Sequence, residues 1–213
     1  VEGYYTLMNR MRIWLPFMNT MYVTIVGTAA HVLLCCVAGY ALSREDLPGR
    51  NWIVGGILLT LAIPTQTLLV PLFIVFRDLG LLNTLLSLII VDLVTAFSIV
   101  LMKTYFEQVP REIVESAQLD GAGHFRLFWN FYLPLSLPGV ITITVYEMVK
   151  KYNLFIHPLL FISDPDKTTL QIALQSVVGG ESSTSTNDFI APNVMMAGIV
   201  VAIVPLLVFF AFF

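Results

Sequence analysis

Charged residues are scarce in this sequence. Asp, Glu, Lys and Arg make up 12% of the 213 residues, about half the ~25% share that is usual in soluble domains. Hydrophobic residues make up 57%, and they are gathered into long runs. This composition indicates an integral membrane protein. The formal net charge of −3 argues against a nucleic-acid-binding surface, which would need a basic patch.

Cysteine is scarce too, and the familiar catalytic sequences are missing. Cys35 and Cys36 are adjacent in an apolar run, a spacing that suits neither a mutual disulfide nor a metal site, so we interpret them as small buried hydrophobes. His31 and His157 lack a second ligand at metal spacing, and we interpret each as a packed, neutral histidine. The sequence has no P-loop, H-E-x-x-H or G-x-S-x-G pattern, so we expect neither ATP binding nor hydrolase chemistry in this chain.

Five apolar stretches are long enough to cross a membrane, which takes about 20 residues of helix. Their approximate bounds are Asn19–Leu42, Trp52–Phe76, Leu85–Phe106, Pro138–Ile162 and Asn193 to the end of the chain. Pro64 and Pro71 predict two kinks in the second stretch, and Pro138 predicts the start of the fourth. The sequence therefore predicts an all-α, polytopic transmembrane fold.

We expect a single permease-sized domain, 1–213, with both ends truncated. The chain begins with Val1 and ends inside an apolar run. With five spans visible, a sixth is expected upstream.

Lysine and arginine in short loops predict the orientation, because cytoplasmic loops carry an excess of them. The loop 44–50 and the segment 107–137 each contain two arginines, and two spans separate them, so they lie on one side. The bias is weak, because the opposite side also carries Arg10, Arg12, Arg77 and Lys167. We place the two arginine-containing segments in the cytoplasm and the loop 164–188 outside.

The segment 115–138, ESAQLDGAGHFRLFWNFYLPLSLP, interrupts the apolar runs with acids, a histidine, an arginine and five aromatics. Pro110 can open a helix, Asp120–Gly121 can break it, and Pro134 can end a second one. An amphipathic stripe is predicted on this second helix, formed by Ala122, Phe125, Phe128 or Trp129, and Tyr132. Two short helices with a glycine hinge could simply lie on lipid.

The same segment resembles the EAA loop of permease subunits in ABC importers. Glu115–Ala117 stands at the Glu-Ala-Ala positions, Gly121 follows four residues after the last alanine position, and Leu133–Pro134 closes the pattern. Ser116 replaces an alanine, a small-for-small change that a helix tolerates. The stretches NTMYVTIVGTAAHVLLCCVAGYALSR, IPTQTLLVPLFIVFRDLGLLNT and YNLFIHPLLF extend the likeness. The chain thereby resembles the MalG-like, carbohydrate-importing branch of these permeases.

This resemblance implies the type I ABC importer permease fold and a non-catalytic, multi-pass subunit of the bacterial cytoplasmic (inner) membrane. It implies a second, related permease in a heterodimer, two ATPase subunits that bind ATP and Mg, and an external substrate-binding protein. No cofactor is expected in this chain. The loop would be the coupling helix that docks on an ATPase subunit. The residues expected at that contact are Glu115, Ser116, Ala117, Asp120, Gly121, Ala122, Arg126, Leu133 and Pro134.

Ionisable residues inside predicted spans are candidates for a substrate path. Lys150 and Lys151 lie about a dozen residues into the fourth span, Glu147 precedes them by one turn, and Asp92 is deep in the third. One interpretation is a set of ion pairs, Glu147 with Lys151 and Asp92 with Lys150 or a partner chain. The other is a path that attracts an anionic substrate, such as a uronate oligosaccharide.

Tyr152 and Asn153 complete the candidate path. An aromatic face and an amide suit sugar rings and hydroxyls, and they suit helix packing equally well. A neutral sugar or another small solute is the alternative substrate. An autonomous channel is disfavoured, because a channel would not need a loop that docks on an ATPase subunit. A membrane enzyme is disfavoured, because the sequence shows no acid/base or metal-binding constellation.

Overall fold

The computed structural model describes residues 13–179 and 192–212. All regular secondary structure in these two ranges is helical, which confirms the predicted all-α class. Two compact units contain these residues, and each is described by itself. The first comprises the chain up to Gly27, Leu69–Val91 and the chain from Met148, and the second comprises Thr28–Leu68 and Asp92–Glu147. The single-domain prediction is not tested by this division.

We label the described helices in chain order. They are α1 (Trp14–Ser43), α2 (Arg50–Thr60), α3 (Leu69–Asp78), α4 (Leu85–Ile90), α5 (Ala96–Glu107), α6 (Arg111–Leu119), α7 (His124–Leu135), α8 (Leu137–Tyr152), α9 (Ile156–Phe161), α10 (Leu170–Gly179) and α11 (Pro192–Phe212). Short 3₁₀ turns occupy Thr65–Leu68 and Pro165–Lys167. Helix α7 contains a π-helical segment, Phe128–Tyr132.

Helix length limits which described segments can cross a bilayer unaided. Helix α1 has 30 residues and a mean hydropathy of 1.9, enough for one span. The pairs α2–α3 and α7–α8 are each bent at a short break, and each supplies a further span if the pair counts as one. The described residues thus provide one span by length and composition, or up to three, against the five that were predicted.

The second predicted span is interrupted once rather than kinked twice. Helix α2 ends at Thr60, shortly before Pro64, because the residue before a proline avoids helical backbone. Pro71 lies in the first turn of α3, where a helix needs no N–H donor. The kink predicted at Pro71 is therefore wrong.

The third predicted span consists of two helices, α4 and α5. Asp92 has a φ of +54°, a left-handed backbone conformation that cannot continue an α-helix. Each helix has its own N-terminal cap. The Thr84 hydroxyl accepts a hydrogen bond from the Ser87 N–H, and the Thr95 hydroxyl accepts one from the Ser98 N–H. Such caps satisfy donors that the first turn leaves without partners.

The fourth predicted span also ends early. Helix α8 starts at Leu137, next to the predicted Pro138, but ends at Tyr152 instead of continuing to Ile162. The side-chain amide of Asn153 donates to the Val149 carbonyl at 2.8 Å, the carbonyl that also accepts from the Asn153 N–H at the end of the helix. Pro158 lies in the first turn of α9, where its missing N–H leaves no helical hydrogen bond unmade.

Glycines allow close helix packing in the second unit. A Cβ at Gly39 of α1 would lie 2.8 Å from the Met102 Cβ of α5, and a Cβ at Gly139 of α8 would lie 2.5 Å from the Tyr105 ring. Small residues at such contacts let membrane helices approach closely. Cys35 and Cys36 are buried and free, as predicted for small hydrophobes.

Asn83 organises one end of the first unit. It has a φ of +60°, which asparagine tolerates better than most residues. Its side-chain oxygen accepts hydrogen bonds from the N–H groups of Ser163 (3.2 Å) and Asp164 (2.9 Å). Its own N–H donates to the Phe161 carbonyl at 2.7 Å, and its carbonyl accepts from the Lys167 ammonium at 3.0 Å. The turn after α9 is thereby fixed to the turn before α4.

Candidate functional site

A tight turn joins α6 to α7 in the predicted coupling loop. The Ala122 N–H donates to the Ala117 carbonyl (2.9 Å), and the Gly121 N–H donates to the Gln118 carbonyl (2.9 Å). These bonds, with Gly121 at φ +79°, define a Schellman motif. Its usual apolar contact is present, since Ala117 and Ala122 are buried together with Leu127. The small residues and the glycine of the EAA-like pattern therefore build the turn itself.

The outer face of this turn is exposed. Glu115, Ser116 and Asp120 are exposed, as are Gly121 and Arg126. The Ser116 hydroxyl donates to the Glu112 carbonyl at 2.7 Å, so the serine that replaces an alanine satisfies its own donor within α6. The structure thus separates buried turn-forming residues from exposed residues that can meet a partner.

Helix α7 continues through Pro134 to Leu135, so the prediction that Pro134 ends it is wrong. Its middle is π-helical from Phe128 to Tyr132, and the wider π turn accommodates the proline that follows. The predicted stripe holds only in part. Phe128 is buried and Tyr132 is half-buried, whereas Phe125 is 78% exposed and Trp129 is also exposed.

An aromatic cluster attaches α7 to two long helices of the same unit. The Tyr40 ring of α1 lies 4.9 Å from the Tyr132 ring and 5.3 Å from the Phe128 ring, between ring centroids. Phe106 of α5 completes the cluster, 5.9 Å from Tyr132. Tilted and edge-on aromatic contacts of this kind add stability beyond area burial. Tyr40 and Phe106 carry no local sequence signal for this role, because their partners are distant in sequence.

Ion pairs attach α6 and α5 to the loop after α1. Arg111 at the start of α6 pairs with Glu45, and both side chains are largely exposed. Glu107 at the end of α5 accepts from both Arg50 and Lys103, the latter at 2.9 Å. In the sequence, Arg50 and Arg111 indicated only the orientation of the chain. The alternation of charge in SREDLPGR was the signal that could have indicated pairing.

A cavity of about 530 Å³ lies between this loop, the end of α5 and α6. Its lining is strongly charged and includes Arg44, Asp46, Glu107 and Glu115. Hydrogen bonds from the Arg44 guanidinium hold the pKa of the exposed Asp46 carboxyl below its ordinary value. The cavity therefore presents charges of both signs beside the exposed face of α6.

The predicted path residues lie at the end of α8. Lys150 and Lys151 occupy its last turn, where the negative end of the helix dipole favours cations. The Lys151 ammonium is buried and donates to the carbonyls of Leu88 (3.0 Å), Ile89 (3.1 Å) and Val91. Lys150 is half-buried.

The remaining candidates differ in exposure. Tyr152 is buried, and its hydroxyl donates to the Ala202 carbonyl at 2.8 Å, whereas Asn153 is exposed and Asp92 is half-buried. Glu147 is buried, with one carboxylate oxygen 3.8 Å from His31 Nδ1. His31 is also fully buried.

His31 belongs to a polar cluster in the second unit. Its Nε2 lies 2.9 Å from the Ser98 hydroxyl, and its Nδ1 lies 3.1 Å from the Leu93 carbonyl. The prediction of a packed histidine is confirmed for His31. No group of three metal-ligating side chains occurs in the described ranges.

Residues 32–213 match the model of the family described as "Binding-protein-dependent transport system inner membrane component". The chain belongs to this family. The permease is 32% identical over 200 residues to Protein LplC of Bacillus subtilis (strain 168), covering 91% of this chain and 67% of that one. It is 30% identical over 220 residues to the polygalacturonan/rhamnogalacturonan transport system permease protein YtcP of the same organism, covering 100% and 76%.

The permease also resembles a chain in a crystal structure of a bacterial ABC transporter involved in the import of the acidic polysaccharide alginate. The TM-score is 0.87 and the identity is 26%, over 98% of this chain and 76% of that one. The protein is therefore an inner-membrane permease component of a sugar ABC importer. It is a non-catalytic membrane subunit, and its family implies ATPase and substrate-binding partners.

Proposed function

We propose that α6, the Gly121 turn and α7 form the element through which this permease is coupled to a cytoplasmic ATPase subunit, which binds ATP and Mg. The observation that carries this proposal is the Schellman motif with its buried alanines, because it presents Glu115 and Ser116 outward on a fixed support. An exposed carboxylate can form charge-assisted hydrogen bonds with a basic residue of the partner. Arg126 and Pro134 are exposed and available to the same partner, whereas Leu133 is half-buried against the core of its unit.

The supports of this element explain how movement reaches the membrane. The aromatic cluster around Tyr40 and the Glu107 ion pairs join α7 and the end of α5 within one packed unit. Packed helices move as rigid bodies, so a displacement of α6 is transmitted instead of being absorbed locally. A second, related permease would complete the path as the other half of a heterodimer.

Substitution of Glu115 tests the docking role. We expect Glu115→Lys to reduce both co-purification of the ATPase subunit and substrate-stimulated ATP hydrolysis. Glu112→Gln is the matched control, because Glu112 is exposed on the same helix one turn earlier. Full co-purification and stimulation with Glu115→Lys would contradict the proposal.

We infer further that the transported sugar is an acidic oligosaccharide. Lysine in a membrane helix costs about 2.5–3.5 kcal/mol on insertion scales. Two adjacent lysines in α8 therefore call for interactions that offset this cost. The carbonyl contacts of Lys151 offset this cost for that residue, and Lys150, half-buried in the last turn of α8, adds a second positive charge that attracts a substrate carboxylate. The names of the alginate importer and of YtcP both refer to acidic polysaccharides. Asn153, exposed beside Lys150, offers an amide to sugar hydroxyls.

The substrate proposal is tested on the reconstituted importer with acidic and neutral oligosaccharides of equal length. Lys150→Met should lower uptake of the acidic sugar about tenfold, equivalent to ~1.4 kcal/mol, while Lys150→Arg keeps most of it. Preference for the neutral sugar by the unaltered importer would instead support the alternative substrate class. Unchanged acidic uptake in Lys150→Met would exclude this role for Lys150.

A further inference from the structure

The ammonium group of Lys151 is held in a cradle of backbone carbonyls. Lys151 is 2% exposed, and its Nζ donates to the carbonyls of Leu88 at 3.0 Å, Ile89 at 3.1 Å and Val91. An ammonium has three donors and no acceptor, so it can donate one hydrogen bond to each of these three carbonyls. All three carbonyls belong to the end of α4 or to the residue that follows it.

The cradle exists because α4 stops inside the apolar part of the chain. The last carbonyls of any helix lack intrahelical partners, and within a membrane no bulk water can replace them. A cation at this position also meets the negative end of the helix dipole. The Lys151 ammonium therefore satisfies the end of a six-residue helix that would otherwise expose three acceptors to an apolar environment.

Gly27 of α1 makes room for the aliphatic stem of Lys151. A Cβ added at Gly27 of α1 would lie 3.3 Å from the Lys151 Cε and 3.4 Å from its Cδ. The absence of a side chain at Gly27 leaves room for the aliphatic stem to reach the cradle. Val23, Leu88 and Leu154 are buried in one hydrophobic cluster of the same unit.

We propose that Lys151 is a positioning residue whose ammonium acts as a tethered cation, fixing the end of α4, and that the carbonyl cradle is a binding site for primary ammonium groups. Three converging carbonyls form a cation site, and the protein fills it with its own side chain. The proposal does not depend on which sugar is carried or on the docking role of α6.

Chemical rescue tests this assignment directly. Lys151→Ala removes the three carbons and the nitrogen that correspond to n-propylammonium. We expect the assembled importer carrying this variant to melt about 5 °C lower than the unaltered one, given the shift that a lost buried interaction produces in a chain of this size. Added n-propylammonium chloride should recover at least half of that shift and of the lost basal ATPase activity. The neutral isostere 1-propanol should recover neither.

Two further variants separate charge from volume. Lys151→Met retains the apolar stem without the ammonium and should melt as low as Lys151→Ala, with no response to the amine because the space is filled. Lys150→Ala is the matched neighbour and should show no response to n-propylammonium. If Lys151→Ala fails to assemble, the yield of assembled complex solubilised with the amine or with propanol becomes the measurement.

Several results would overturn the proposal. One is an unshifted melting temperature in Lys151→Met, which would show that the charge is dispensable. Another is equal recovery by 1-propanol and n-propylammonium, which would indicate simple cavity filling. A third is recovery by neither compound in activity, melting temperature or assembly.

Discussion

Gly121 holds a backbone conformation that other residues adopt only at a cost. Its φ is +79°, and a Cβ built on it would meet nothing within 4 Å. The glycine is therefore needed for conformation and not for space. The sequence predicted this hinge because glycine and its neighbours form a local pattern, in which every hydrogen bond of the turn joins residues within five positions.

The loss of uptake caused by a substitution at Gly121 should increase with the backbone strain that the new residue introduces. Gly121→Ala should cost roughly 1–2 kcal/mol in the turn, whereas Gly121→Asn should cost less, because asparagine tolerates left-handed backbone. Uptake by fully assembled importers should fall in the order glycine, asparagine, alanine. Gly121→Trp should abolish uptake although the subunit still inserts in the membrane. Normal uptake by an assembled Gly121→Trp importer would show that the turn is not part of the coupling element.

Asp164 should make the turn after α9 sensitive to acid. Hydrogen bonds from the Asp166 N–H and the Lys167 ammonium hold the pKa of the Asp164 carboxyl below its ordinary value of 3.8. Because the folded pKa is depressed, the stabilisation is present above pH 3.8 and is lost as the pH falls through the depressed value. Asp164→Asn should lower the melting temperature at neutral pH and flatten its decline in acid. An acid profile identical to that of the unaltered subunit would contradict this.

At the scale of helices, composition located the elements, but contacts decided where they end. The apolar runs predicted α1 and the start of α8 closely. The break at Asp92 was not predicted, because it depends on two separate threonine caps and on carbonyls that accept hydrogen bonds from Lys151, which is 60 to 63 positions away in sequence. The end of α8 had a local signal in Asn153 and Pro158, which the hydrophobic run obscured.

Two ion-pair connections near α6 should contribute unequally. Glu107 pairs with both Arg50 and Lys103, whose side chains are 20% and 15% exposed, whereas Arg111 and Glu45 are 74% and 67% exposed. Pairs in water are worth about 0–1 kcal/mol, so Glu45→Gln should barely change coupling. Glu107→Gln should lower the uptake obtained per ATP hydrolysed, because it removes a carboxylate shared by two cations. Equal effects of the two variants would contradict this ranking.

For the whole molecule, the comparisons establish an importer permease, while its orientation is still a prediction. The exposed residues Ser116 and Asp166 belong to segments that were assigned to opposite sides of the membrane. The weak positive-inside bias and the resemblance of the coupling loop agree on that assignment. The loop 164–188 lies partly outside the described residues, so only its first part can be examined in the structure.

Single-cysteine labelling tests the orientation. Cys35 and Cys36 are buried and act as small hydrophobes. Because alanine is also small and apolar, replacing both with alanine should preserve assembly. In that background, a membrane-impermeant thiol reagent should label Asp166→Cys in intact cells. It should label Ser116→Cys only after permeabilisation. Labelling of Ser116→Cys in intact cells would reverse the topology.

The π-helical segment of α7 has a consequence for insertions and deletions. A π turn forms when a helix accommodates one residue more than its neighbours require. Deleting one residue between Phe128 and Tyr132 could restore ordinary α-helical pitch while leaving both flanks in register. The same deletion within α6 would rotate every later residue by about 100°, one step of a helix with 3.6 residues per turn. Length variation within this loop should therefore be tolerated at the π segment and rejected in α6.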